Sequence, residues 1–331
     1  MHSVLRSFWS SPLTGIERKH ALWTLPLVSR TFNACFNELA ATDIHVPSDG
    51  CGHALIRSIL STSPLGSPFG HATNTRITVG APIARCRTLT VYLDGLKPLL
   101  GATGPDAAAL GWLMHFINTL PAFPCLAQLD LILSDYTLDA FQAHLRVLSI
   151  PRTVQRLSLS FLPAIRAAEA SENQDNISVS CSPAEYRRHG FTGWHTSSIR
   201  SLSVSSAPPA LVDDLARSCS SLRTLELAWK GAEEPWWEQI TPLPETVQEL
   251  LVRMQGSQDD TKFGLLRISH FLRTSSVFGV VSSGNGPARK LVLQLDGVAE
   301  ENVTNQYPGG WASACEAARS RGVDVVVRAR S

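Results

Sequence analysis

The sequence predicts an α/β chain: an irregular leucine-rich-repeat solenoid with parallel strands on a concave face and helices outside. Two observations predict it. One is a phrase, apolar-x-x-Leu-x-Leu, that returns along the chain. It runs through Leu222, Leu225 and Leu227, through Leu126, Leu129, Leu131 and Leu133, and through Val154, Leu157, Leu159 and Phe161. It returns in Ile199, Leu202 and Val204, in Val247, Leu250, Val252 and Met254, and in Ala288, Leu291, Leu293 and Leu295. Alternate large apolar residues face one side of a strand, and regular recurrence of one unit marks a solenoid. The other observation is spacing. Leu202 to Leu225 is 23 residues, Leu225 to Leu250 is 25, and Leu129 to Leu157 is 28. These fall in the leucine-rich range of roughly 20–29 residues. Longer steps after Leu89, Leu157 and Leu250 imply insertions or longer helices, hence the irregularity. No Gly-x-Gly-x-x-Gly turn follows any strand, which argues against a doubly wound fold.

Taken in order, residues 3–40 carry apolar positions at helical spacing, broken by a Ser-Ser-Pro-Leu-Thr-Gly turn. Residues 43–46 predict a short strand and 53–60 a short helix. Strands follow at 87–93, 126–133, 154–161, 199–204, 222–229, 247–254, 289–295 and 323–327. Helices are predicted at 106–120, 138–148, 209–219, 262–272 and 310–321, where apolar residues recur at three- and four-residue steps. Pro209 suits a helix start. The stretch 163–198, with its Ala-Ala-Glu-Ala-Ser-Glu-Asn-Gln-Asp-Asn run, predicts a flexible insertion.

Lys plus Arg (29) balance Asp plus Glu (28), so no overall field favours nucleic acid or an anionic membrane surface. The longest apolar run is far short of a membrane span, and the N-terminal residues show no signal peptide, so a cytoplasmic or nuclear protein is expected. Seven scattered cysteines without a Cys-x-x-Cys pair indicate neither a zinc ribbon nor a disulfide framework. Most read as small buried apolar residues. No nucleophile elbow, phosphate loop or His-Glu-x-x-His occurs, so no enzyme, cofactor or metal is expected. The paired carboxylates Glu233-Glu234 and Asp259-Asp260 read as solvated turns.

The segment Ala21-Leu-Trp-Thr-Leu25-Pro-Leu27-Val28-Ser29-Arg30-Thr31-Phe32-Asn33 resembles the second half of an F-box, in the form common among fungal F-box proteins with leucine-rich repeats. Val4-Leu-Arg-Ser-Phe-Trp-Ser-Ser-Pro-Leu13 is similar to the end of that family's first helix and the turn after it. The family's opening Leu-Pro-x-Glu does not occur, so the resemblance is to an F-box truncated at its N-terminus. It implies an F-box-like helical cap over 1–42 and a degenerate repeat domain over 43–331. In function it implies the substrate-recognition subunit of a cullin-based ubiquitin ligase. Leu5, Phe8, Trp9, Leu25, Leu27, Val28 and Phe32 would then meet a cullin adaptor protein. A freestanding scaffold without adaptor binding is the alternative expectation.

If the leucines point inward, the residues between them line the outer face of the sheet, where a protein target would be held. Read across successive strands, one row is Gln128, Arg156, Ser201, Thr224, Glu249 and Lys290. The next is Asp130, Ser158, Ser203, Glu226, Leu251 and Val292. The third is Ile132, Ser160, Ser205, Ala228, Arg253 and Gln294. Trp236-Trp237 is a further candidate, since aromatics are enriched where partners bind.

Overall fold

A computed structural model of the chain describes residues 2–9, 11, 13, 15–46, 51–52, 55, 84–94, 123–134, 150–162, 196–207, 209–230, 243–255, 258–274, 289–296 and 308–330. The chain divides into two compact units, Met1–Glu169 with Thr192–His195, and Ala170–Phe191 with Thr196–Ser331. The N-terminal helices belong to the same unit as the strands that follow them.

In the first unit, helices α1 (His2–Trp9), α2 (Gly15–Thr24) and α3 (Arg30–Thr42) enclose a small core of Leu5, Trp9, Ala21, Phe36 and Leu39. Leu5 and Trp9 lie four apart and so share the inner face of α1, and Val4 and Phe8 share the outer one. Ser29 caps α3, its hydroxyl accepting from the Phe32 amide at 3.1 Å. That Ser-x-x-Phe local chemistry explains why the helix starts where the motif does. α3 ends at Thr42 and strand β1 (Asp43–Val46) begins at the next residue. β1 pairs in parallel with β2 (Thr88–Asp94), β2 with β3 (Gln128–Ser134) and β3 with β4 (Arg156–Leu162).

Among the described residues the second unit holds five parallel strands: β5 (Ser201–Ser205), β6 (Thr224–Lys230), β7 (Glu249–Gln255), β8 (Arg289–Asp296) and β9 (Val323–Arg330), each paired to the next. Helices α4 (Pro209–Ser218), α5 (Gln258–Thr274) and α6 (Pro308–Arg319) connect them. The Arg273 guanidinium ties α5 to α6 by donating to the Gly310 carbonyl at 2.7 Å. After α6, Gly322 takes φ 78°, a left-handed turn that glycine adopts without strain.

The repeating phrase is visible as one construction. Strands β3 to β7 are each entered by a turn whose apolar residue is wholly buried: Leu126 and Val154 in the first unit, Ile199, Leu222 and Val247 in the second. Each turn closes on itself, as in Leu126 N–H to the Phe123 carbonyl (3.2 Å) and Val247 N–H to the Pro244 carbonyl (3.0 Å). The following leucines, Leu129, Leu157, Leu202, Leu225, Leu250 and Leu291, are all at most 1% exposed. Burying each contributes about 1.5–3 kcal/mol, so every stacked leucine is a sizeable contributor to the core of its unit.

The helices predicted at 106–120 and 138–148 lie outside the described residues, as does that at 53–60 but for residue 55. The predicted insertion 163–198 lies outside them as far as 195. Its end is ordered: Thr196–Ser198 forms a 3-10 turn in which Thr196 is buried. Asp259 and Asp260 are not in a turn. They belong to the first turn of α5, where acidic residues are favoured by the helix dipole. Of the cysteines, Cys86 and Cys219 are buried, with thiols pushed up to about 12 by burial, whereas Cys125 is exposed.

Candidate functional site

Two features of the first unit could engage other molecules: the exposed side of the helical segment and the outward face of the sheet. On the helices, the residues expected to meet an adaptor separate into three groups. Leu5 (4% exposed) and Trp9 (1%) are in the core, which corrects their reading as contact residues, since a buried side chain has no surface to offer. Leu25 and Phe32 are half-buried against the same core. Leu27 (83%), Val28 (65%) and Phe8 (40%) are exposed, as is Val4.

Trp9 joins the helices to the sheet. Its indole N–H donates to the Asp43 carbonyl at 3.1 Å, and its ring meets Phe36 and the imidazole of His45 edge-on. Arg18 completes this joint. Its guanidinium donates to the carbonyls of Trp9 (2.7 Å) and Ser11 (2.9 Å) and to the Tyr92 hydroxyl (3.1 Å), and lies 5.3 Å from the centre of the Trp9 ring. Tyr92 in turn donates to the Leu13 carbonyl. Arg18 is 5% exposed, and its own three hydrogen bonds are charge-assisted while the Trp9 ring shields the ion. No motif or periodicity marks Arg18. Tyr92 could have been found by extending the outward rows back to β2, where it pairs with Ile132.

The outward rows expected of the sheet are the rows of the pairing register. In the first unit, Gln128 pairs with Arg156, Asp130 with Ser158 and Ile132 with Ser160. The middle row extends further, through Thr90 to His45. Gln128 donates to both carboxylate oxygens of Asp130 (3.1 and 3.0 Å), and Thr90 donates to one at 3.4 Å. Burial pushes the Asp130 carboxyl above its ordinary range, with the Asp43 charge adding to the effect and the Gln128 hydrogen bonds opposing it. The His45 side chain is 5% exposed, with Nε2 3.2 Å from Asp43 Oδ1 but not aligned for a hydrogen bond.

In the second unit, Ser201, Thr224, Glu249 and Lys290 share one row, Ser203, Glu226, Leu251 and Val292 the next, and Ser205, Ala228, Arg253 and Gln294 the third. Glu226 accepts from Ser203 (3.1 Å) and lies 2.8 Å from the Arg253 Nε. Thr224, Glu249, Lys290 and Gln294 are half-buried, as expected of a partly open face. Val292 departs from its row's pattern: it is fully buried. Trp236 and Trp237 lie outside the described residues.

Among the described residues no group of three or more His, Cys, Asp or Glu is placed to hold a metal ion, and no helix is long and apolar enough to cross a membrane. No protein-family model matches the chain, and neither does a curated protein or a solved structure.

Proposed function

We propose that the chain is a non-enzymatic recognition subunit of a cullin-based ubiquitin ligase. In this reading its repeating strand units are leucine-rich repeats of an irregular solenoid, and α1 to α3 are an F-box-like cap that docks the adaptor. The target is a protein held on the outward face of the sheet, and the complex works in the cytoplasm or nucleus. One observation carries the adaptor half of the reading. Leu27 and Val28, adjacent and apolar, are left open to solvent in the turn that the resemblance assigns to contact, while Leu25 before them and Phe32 after them pack against the core. Exposed large apolar side chains side by side mark interaction surface more often than chance. The target half rests on the register, which brings Gln128, Asp130, Arg156 and Ser158 together in one unit and Ser203, Thr224, Glu226, Glu249, Arg253, Lys290 and Gln294 in the other.

A freestanding scaffold is the second reading, favoured by the burial of Leu5 and Trp9, which leaves fewer apolar side chains for an adaptor. Calorimetry of the whole chain with a purified cullin adaptor separates them. Submicromolar binding, lost in Leu27→Asp with Val28→Asp, supports the ligase subunit. A folded chain that gives no heat of binding leaves the scaffold.

A further inference from the structure

The strands of the first unit are entered along an edge whose charge the outward rows do not reveal. The entry to β2 carries Arg85 and Arg87, and the entry to β4 carries Arg152 and Arg156; all four are exposed. The rungs stack directly: the amides of Ala127 and Gln128 donate to the Arg87 carbonyl, and those of Gln155 and Arg156 to the Ala127 carbonyl, at 2.8–3.0 Å. Thr42, Arg87, Ala127 and Gln155 therefore form one column, and Asp43, Thr88, Gln128 and Arg156 the next; the Asp43 carboxylate, at the β1 end of that column, lies 3.2 Å from the His45 Nε2. Residues 84–88, 123–128 and 150–156 contain four arginines and no aspartate or glutamate. Among the described residues none of the four is in an ion pair. In the second unit the corresponding entries are mixed, with Arg200 and Arg223 on two rungs and Glu245 and Glu249 on the third.

We propose that this edge binds a short acidic segment of a partner protein. It deepens the reading of the sheet as a recognition surface, since Arg156 belongs to both. Guanidinium groups present planar, bidentate donors that suit carboxylates. The three rungs span only about 10 Å at ~4.8 Å per strand. That width suits a few carboxylates better than a nucleic-acid backbone, and the described edge offers no exposed aromatic on which bases could stack. The near-zero net charge adds no wider field that would draw in a polyanion.

Fluorescence anisotropy of a labelled octaglutamate peptide with the whole chain tests this. Saturable binding is expected, weakening at least about 10-fold between about 0.05 M and about 0.3 M salt as screening shortens. Arg85→Gln with Arg152→Gln, and separately Arg87→Gln with Arg156→Gln, should each weaken it about 5-fold, with the fold checked by circular dichroism. Arg200→Gln with Arg223→Gln should leave it unchanged. Absence of saturable binding at low salt, an equal loss in that control pair, or equally tight binding of a single-stranded octanucleotide would each overturn the proposal. None of these outcomes moves the adaptor calorimetry, so the two readings fail separately.

Discussion

Arg18 is the residue on which the joint between helices and first strands turns. A guanidinium at 5% exposure is tolerable because three donors and one ring face are satisfied at once. Arg18→Ala strands the carbonyls of Trp9 and Ser11, and is expected to destabilise the first unit by about 2–4 kcal/mol. Arg18→Lys should recover little, because an ammonium cannot span both carbonyls and the Tyr92 hydroxyl. Hydrogen exchange resolved by peptide should show protection lost first over residues 2–24; a uniform loss along the whole chain would contradict the local role. Asp130 acts through protons instead. Its folded carboxyl titrates above the unfolded value, so between those two values the folded state binds more protons and stability falls as pH rises. Asp130→Asn, which cannot ionise, should therefore be more stable than the parent at pH 7. That advantage should shrink as pH drops below the raised value. Melting both proteins across pH 4 to 8 checks it, and a constant difference would mean that the carboxylate's charge is not what burial penalises.

At the scale of the strand, the pairing register makes neighbouring residues behave oppositely. Leu225 is wholly buried and Thr224 faces outward on the same strand. Leu225→Ala should cost about 2–5 kcal/mol, and Thr224→Ala no more than about 1 kcal/mol, by urea denaturation of each variant. Equal costs would mean that the strand is a residue out of register. This alternation is also why so much of the fold was legible in the sequence. A strand with one buried face writes its register into every second residue, and the turn residue before it (Leu126, Val154, Ile199, Leu222, Val247) is apolar because the next rung stacks on it. Element ends were less legible: α5 begins at Gln258, four residues before its apolar pattern, because polar residues supply a helix's first turn. At the joint of Trp9, Arg18, His45 and Tyr92, the outward rows could have pointed to Tyr92, but the contacts among the four were not legible. They depend on which face α1 and α2 turn toward the sheet, and no periodicity within either helix encodes that. For the same reason Leu5 and Trp9 read as partner contacts when they are core: an apolar stripe on a helix looks the same whether its cover is the chain itself or another protein.

For the molecule as a whole, the decisive quantity is how little net charge it carries. With 29 basic and 28 acidic side chains the formal charge at pH 7 is +1, and the isoelectric point is about 7.7. Only 17% of residues are charged, and large apolar side chains such as Val4, Leu27, Val28, Leu162 and Leu266 are open to solvent. A protein near zero net charge has no long-range repulsion to keep such surfaces apart. Self-association should therefore peak close to the isoelectric point. Lowering the pH below the isoelectric point gives the chain a growing net positive charge. Light scattering of the whole chain should show particle size falling from pH 7.7 to pH 6 at low salt, and the benefit should fade as salt screens the added charge. If Leu27→Asp with Val28→Asp abolishes the association even at the isoelectric point, the exposed pair in the turn before α3 is the surface responsible. If those variants associate as the parent does, the stickiness lies elsewhere on the chain, and the exposure of Leu27 and Val28 loses its force as a sign of a docking surface.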